Sequence, residues 1–213
     1  MGTHLSSRWD FKAAAAAGIL HILPLHVNRL VRLSRFPATE PYWGKSKAYR
    51  FDDPAQAFGT TYAALMLDVA FAETILHQNG QFSSGAWFID EKNIAARHIV
   101  GFQRPKKPLL GLVNLTGSYL KALWLNNDLC SSDDYADSML VSASLHDQLP
   151  DVDGIIYVSR QMNTGRAVAL FERSCLQRSS TVMPLKNHPA FSALLSKFNV
   201  AILPSGRAST PRH

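Results

Sequence analysis

The chain has 213 residues, 46% hydrophobic and 18% charged, a composition that indicates one globular domain over residues 1–213 and excludes disordered and fibrous proteins. Its formal net charge of +6 favours an anionic partner, which can be a nucleic acid, an acidic protein or a dinucleotide. Cys130 and Cys175 lack the short spacing of a zinc site or a redox dithiol, which fits a reducing cytoplasm.

The first predicted element is a helix over residues 10–24, because an apolar run extends from Ala13 to Leu25. His21 and Pro24 interrupt this run and no small-residue cleavage site follows, which argues against a signal peptide. The run is also too short to cross a bilayer. We therefore expect a packing helix that ends near Pro24, and no membrane segment.

Residues 28–36 alternate between polar and apolar side chains, a pattern that predicts a strand from which Arg32 projects into a cleft. The next segment, residues 37–47, carries Pro, Gly and aromatic residues and is predicted to be an ordered loop. Tyr42 and Trp43 in this loop either wall a pocket or form a structural lid.

Residues 49–77 are predicted to hold one strand and one helix. Residues 59–64 favour the strand, because Thr and Tyr suit a pleated surface and turn residues precede them. Asp68 indicates the start of the helix, since its carboxylate can accept hydrogen bonds from first-turn amides. Apolar residues then recur at spacings of three and four residues until the helix ends near His77.

In this arrangement Glu73 lies at the margin of the buried helix face. Tyr62 approaches it from the strand, and Arg50 arrives from the preceding loop. A carboxylate in such a place more often turns to water or pairs with an arginine than binds a ligand. Both possibilities stay open at this point.

Strands are further predicted at residues 86–89, 97–102 and 109–115, and a helix from Ser132 to about His146. The basic turn at residues 103–108 has no aromatic stacking platform and matches no nucleic-acid-binding motif. We expect a solvated turn and no direct nucleic-acid binding.

Two β-rich runs on either side of residues 163–165 predict a hairpin, and Ser159 ends the first run. A serine there is usually a turn residue, although its hydroxyl can also face a cleft. A helix at residues 188–197 and a strand at 199–203 follow, and residues 204–213 are expected to be a frayed tail.

Several common chemistries are excluded by their missing motifs. The chain has no phosphate loop, no dinucleotide-binding glycine turn, no zinc-protease helix and no serine-hydrolase nucleophile turn. Its eight histidines are dispersed without ligand spacing, so no metal site is predicted.

Five short stretches nevertheless occur in an order that resembles a known family. They are Val31-Arg32-Leu-Ser, Tyr49-Arg50-Phe-Asp, Thr61-Tyr62-Ala, Ala70-Phe-Ala-Glu73 and Gly154-Ile-Ile-Tyr-Val-Ser159-Arg. Together they resemble the RES domain, a family named for its arginine, glutamate and serine, from about Arg29 to Phe171.

The resemblance implies an α+β fold similar to the ADP-ribosyltransferase toxins, with a mixed or antiparallel sheet flanked by helices and a core at about residues 29–203. It implies cleavage of the nicotinamide–ribose bond of NAD as a substrate, without a cofactor, and transfer of the ADP-ribosyl group to inorganic phosphate or water. It also implies a toxin of a bacterial toxin–antitoxin pair, neutralised by an antitoxin with a helix-turn-helix domain.

Carried over by residue, the resemblance gives Glu73, Arg50 and Ser159 catalytic roles and assigns substrate binding to Arg32, Arg50, Tyr62 and Ser159. The arginines would hold phosphates, Glu73 would bind the ribose and stabilise a cationic transition state, Tyr62 would pack on the substrate, and Ser159 would orient it. The chain departs from many members at Leu33, where they have tyrosine, and in its longer separation between Glu73 and Ser159.

Other functions remain open at this stage. A RES-like module can bind a nucleotide or a protein without catalysis, and ADP-ribose can be transferred to a macromolecule. A nucleic-acid-binding regulator is supported only by the positive charge. The sequence does not choose between phosphate, water and a macromolecule as the acceptor.

Overall fold

The computed structural model describes residues 9–205. A π-helix, Ala72–Leu76, continues the second helix directly into the third. The α-helices are α1 (Phe11–Ala16), α2 (Leu67–Phe71), α3 (His77–Asn79), α4 (Glu91–Ala95), α5 (Gly117–Ala122), α6 (Asp128–Ser131), α7 (Ala136–Gln148) and α8 (Phe191–Lys197). The strands are β1 (Ile22–His26), β2 (Val31–Ser34), β3 (Thr60–Ala64), β4 (Gln81–Ser83), β5 (Ala86–Asp90), β6 (His98–Gln103), β7 (Leu109–Leu115), β8 (Gly154–Val158), β9 (Arg166–Phe171), β10 (Gln177–Pro184) and β11 (Val200–Leu203).

The strands of residues 9–205 form two mixed sheets. The large sheet has eight strands in the order β1-β7-β8-β9-β3-β2-β6-β10, and the small one has three in the order β11-β5-β4. Within the large sheet β7 and β8 pair in parallel, and the other neighbours pair antiparallel. This arrangement confirms the predicted fold class, a mixed sheet flanked by helices.

The centre of the large sheet is buried on both faces. In β8, Ile155 and Tyr157 pack with residues of α1, α5 and α7, whereas Ile156 packs on the opposite face with residues of β1, β6 and β9. Successive strand side chains point to opposite faces, so both sets of residues must be apolar. These strands therefore have almost uninterrupted apolar sequences.

A third apolar cluster joins the helix after β3 to the small sheet. Val69, Phe71 and Ile75 are fully buried in it, together with Ile89 of β5 and Leu194 of α8. This packing fixes the helix that carries Glu73.

The N-terminal helix predicted over residues 10–24 is wrong beyond its first turns. α1 ends at Ala16, and Ile22–His26 instead forms β1, an edge strand that pairs with β7. Pro24 is tolerated there because a proline at a sheet edge need not donate a ladder hydrogen bond. The apolar run is explained by pairing with a buried strand rather than by helical packing.

The other predicted strands and the hairpin are confirmed to within a few residues. The helix predicted from Ser132 begins later, at Ala136, because Ser132 and Asp134 cap local turns before it. The strands β4 and β10 were not predicted. Of the expected frayed tail, residues 206–213 lie outside the described residues.

Candidate active site

A cleft of about 550 Å³ opens between β2 and β3 of the large sheet, where the two strands share only one residue pair. In that pair Val31 faces Ala64. At the next residue of β2, the side chain of Arg32 donates a 2.6 Å hydrogen bond to the carbonyl of Tyr62. A ladder that ends early leaves room between two strands. Side chains of both strands line the cleft, and the helix after β3 closes one side of it.

Glu73 enters the cleft from the π-helix. Its neighbours Ala72, Ile75 and Leu76 are buried, so the carboxylate lies at the margin of the buried face, as predicted. Single π-helical turns are rare and are often found at functional sites. Of the described residues that line the cleft, Glu73 is the only carboxylate.

Ser159 holds this carboxylate. Its hydroxyl donates a 2.6 Å hydrogen bond to Glu73 Oε1 and accepts one from the backbone N–H of Met162. Ser159 is only 1% exposed. The serine therefore contacts the cleft through Glu73 rather than through an open hydroxyl.

Arg50 lies in the wall beside Glu73. It is 8% exposed, donates to the carbonyl of Leu129 at 3.1 Å and has its guanidinium 4.7 Å from the centre of the Tyr135 ring. Tyr157 is buried next to it, and burial together with the charge of Glu73 raises the pKa of this phenol well above its usual value. Arg50 is thus held between a backbone carbonyl and an aromatic ring in the wall of the cleft.

Tyr62 presents its ring to the cleft, while its hydroxyl is fixed from behind. The hydroxyl donates to Asp52 Oδ1 at 3.0 Å and accepts from the N–H of Phe51 at 2.9 Å. Asp52 also accepts from the amides of Ala48 and Tyr49, so its carboxylate holds the local turn as well as the phenol. Burial raises the pKa of Asp52, partly offset by these hydrogen bonds.

Arg32 is oriented by a buried carboxylate. Its Nε donates to Glu40 Oε1 at 2.9 Å, and Glu40 Oε2 accepts from the N–H of Tyr42. Arg32 uses Nε and Nη1 on protein groups, so it reaches the cleft as a fixed cation. Tyr42 lines the same cleft, and Trp43 packs on the face of the large sheet that also buries Ile156.

The chain matches a known protein family. The profile of the RES domain matches residues 26–191. The chain belongs to the RES domain family. The stretches that carry the resemblance in the sequence all fall within the matched region.

Among solved structures, this RES domain is similar to a chain of the "M.tuberculosis MbcT-MbcA toxin-antitoxin complex". The TM-score is 0.58 at 15% sequence identity, over 88% of this chain and 96% of that chain. At this identity the likeness establishes the fold. The comparison with curated proteins gives no match.

Further residues of the RES domain cleft were not predicted from sequence. Arg97 and Arg160 join Arg32 and Arg50 in its lining, and Tyr135 contributes an aromatic ring. Arg160 forms a bidentate ion pair with Asp133, which lowers the pKa of that carboxyl. Their only sequence signal was proximity: Arg160 follows Ser159, and Arg97 is the first residue of a predicted strand.

Two predicted details differ in the structure of the RES domain. The residue that precedes α2 is Met66, whereas Asp68 is the second residue of the helix. Its carboxylate accepts a hydrogen bond from the N–H of Val69 and forms an ion pair with Lys197. Leu33, where many family members have tyrosine, is buried in the third apolar cluster. Among residues 9–205 no group of His, Cys, Asp or Glu has the arrangement of a metal site, and no helix is long and apolar enough to span a bilayer.

Proposed function

We propose that this RES domain degrades NAD by cleaving the bond between nicotinamide and ribose. The observation that supports this most strongly is that Glu73, the single carboxylate among the described residues of the cleft, is held by Ser159 and shares the lining with four arginines. NAD carries a pyrophosphate on one side and a cationic nicotinamide ribose on the other. A site with several cations and one placed anion is complementary to that distribution of charge.

In the proposed reaction the bond between ribose C1′ and the nicotinamide nitrogen breaks, and nicotinamide leaves as a neutral molecule with the bonding electrons. The sugar passes through an oxocarbenium-like state, which Glu73 stabilises by its negative charge. A phosphate oxygen or a water then bonds C1′, and water releases its proton to solvent. The products are nicotinamide and ADP-ribose or its 1″-phosphate.

The remaining residues bind and orient the substrate. Arg32 and Arg50 hold phosphate oxygens by charge-assisted hydrogen bonds, and each is pre-oriented by the protein. The Tyr62 ring packs on nicotinamide or ribose, because its hydroxyl is already fixed behind it. Ser159 orients the substrate indirectly, through the Glu73 carboxylate.

We further propose that the protein is the toxin of a toxin–antitoxin pair. The family assignment supports this, and so does the fold similarity to a chain from a toxin–antitoxin complex. The expected partner is an antitoxin protein with a helix-turn-helix domain.

The experiment is to incubate the purified protein with NAD, with and without inorganic phosphate, and to identify the products by mass. We expect release of nicotinamide, with ADP-ribose 1″-phosphate formed only when phosphate is present if the enzyme is a phosphorylase. Glu73→Gln should lower turnover at least about a hundredfold while the fold is kept, because the amide preserves shape and loses charge. The exposed Glu91→Gln is the matched control.

Induced expression provides the cellular arm of the same experiment. Wild-type protein should deplete NAD and stop growth, Glu73→Gln should do neither, and co-expression of the antitoxin should restore growth. Binding of NAD without release of nicotinamide would instead favour a binding module, and near wild-type turnover of Glu73→Gln would refute the mechanism.

A further inference from the structure

Arg97 has a place in the cleft that the proposed reaction does not yet use. It lies between α4 and β6, where its N–H donates to the carbonyl of Ile94 and its carbonyl accepts from the N–H of Leu185. The residue is 7% exposed, yet its side chain lines the cleft. Both backbone bonds hold the side chain in this position.

The guanidinium of Arg97 lacks a partner within residues 9–205. Its buried Nε has no hydrogen-bond acceptor, and no carboxylate of the described chain pairs with it. Burial, together with the charges of Arg35 and Arg32, lowers the pKa of Arg97 to about 10, and Tyr49 only partly opposes this shift. At neutral pH it is therefore still a cation.

The other arginines around the cleft have protein partners. Arg32 has Glu40, Arg50 has the Leu129 carbonyl and the Tyr135 ring, and Arg160 has Asp133. Removing a cation from water without a compensating anion costs free energy. A second and third arginine nearby increase that cost. An anionic ligand that bonds the guanidinium would offset it.

We propose that Arg97 and Arg32 together form a phosphate-binding subsite beside β2 and β6. These strands are adjacent and antiparallel, with Arg32 opposite Val100 and Ser34 opposite His98, so Arg97 directly precedes the end of β6 that faces the end of β2, and Arg32 lies two residues before that end of β2. The side chains of both arginines line the same cleft. Arg97 offers the guanidinium nitrogens other than its buried Nε, and Arg32 offers Nη2 in addition to its bonds to Glu40 and Tyr62. Two cations around one phosphate match the geometry that guanidinium groups favour.

Two sources can supply the phosphate group, namely a dinucleotide and inorganic phosphate. Assigning it to NAD or to the acceptor of its ADP-ribosyl group rests on the proposed function, whereas the anion site itself does not. The two sources are distinguished by the ligand whose binding depends on Arg97.

The experiment compares Arg97→Gln with Arg35→Gln by calorimetry, using ADP-ribose and inorganic phosphate as separate ligands that need no turnover to bind. Arg35 is the matched control, because it removes one charge from the same neighbourhood but is exposed and already donates to Asn79 and Asn93. We expect Arg97→Gln to weaken binding by about tenfold or more, and Arg35→Gln to weaken it by less than about threefold.

Loss of ADP-ribose binding assigns the subsite to the dinucleotide, and loss confined to inorganic phosphate assigns it to the acceptor. Thermal unfolding of the ligand-free protein gives a second readout. Arg97→Gln should leave the midpoint unchanged or raise it, because an unpaired buried cation is removed. A lower midpoint with both affinities unchanged, or wild-type protein that binds neither ligand, would overturn the proposal. If wild-type protein fails to cleave NAD yet binds these ligands through Arg97, the proposed function fails and the subsite stands.

Discussion

The 2.6 Å hydrogen bond between Ser159 and Glu73 links two segments that are 86 residues apart in sequence. It uses the serine hydroxyl as a donor, so the carboxylate loses rotational freedom. Holding a catalytic group in its reactive geometry lowers the barrier of the step that it assists. At the residue scale, Ser159 is therefore a positioning residue in the proposed reaction.

Ser159→Ala should lower kcat about tenfold and leave KM for NAD nearly unchanged, because the hydrogen bond to a charged group is lost while the phosphate-binding arginines remain. Steady-state kinetics on NAD measures both constants. Stability should fall slightly, since the N–H of Met162 loses its acceptor. The control is Ser196→Ala on the exposed side of α8. A rise in KM with kcat unchanged would show that Ser159 binds the substrate directly.

The residues that sequence alone could predict are those with a motif around them. Arg32, Arg50, Tyr62, Glu73 and Ser159 each stand in a short recognisable stretch, and the first four line the cleft, which Ser159 reaches through Glu73. Arg97 was not predictable, because its significance lies in what is missing around its guanidinium. The absence of a hydrogen-bond partner in the folded protein cannot be predicted from the sequence.

At the scale of elements, the helix after β3 is positioned by the return between β8 and β9. Gly165 in that return packs directly on Val69, so that a Cβ at position 165 would overlap the valine side chain. Val69 lies four residues before Glu73, on the same side of the helix. The return thus controls how closely the helix approaches the cleft.

Gly165→Ala should destabilise the protein by about 1–3 kcal/mol through overpacking, and should also lower turnover by displacing the helix that carries Glu73. Denaturant unfolding and NAD cleavage measure the two effects. Adding Val69→Ala should recover turnover in the Gly165→Ala background, although Val69→Ala alone creates a cavity and is destabilising. Strictly additive losses in the double variant would contradict this coupling.

Elements with a clear period were predicted, and elements set by tertiary pairing were not. β10 carries Gln, Arg, Ser and Thr on an edge of the sheet, and its register with β6 shifts between Arg178 and Val182, so no alternation marks it. β1 was taken for a helix because its apolar run gives no sign of a partner strand. The π-helix at Glu73 is likewise invisible in the sequence, since the preceding and following turns share its apolar spacing.

At the scale of the whole molecule, the large sheet is held against α7 by an aromatic stack. His146 of α7 lies flat on Phe58, with ring centroids 3.8 Å apart, and meets Phe171 of β9 edge-on at 5.1 Å. Burial and the charge of Arg173 lower the pKa of His146, and the carboxylates of Asp53 and Asp147 only partly oppose this. The folded protein therefore favours the neutral imidazole.

This stack predicts how global stability depends on pH. An unfolded histidine binds its proton near pH 6.5, and the folded His146 binds it only at lower pH, so between these values the unfolded state holds more protons. Stability must then fall as the pH decreases below about 6.5, by at most about 1.4 kcal/mol per pH unit for one proton.

Unfolding midpoints of wild-type protein and His146→Gln, measured from about pH 7.5 to pH 5, should converge as the pH falls, because the variant lacks this titration. Parallel curves for His146→Gln and wild type would show that another group governs the acid sensitivity of the fold.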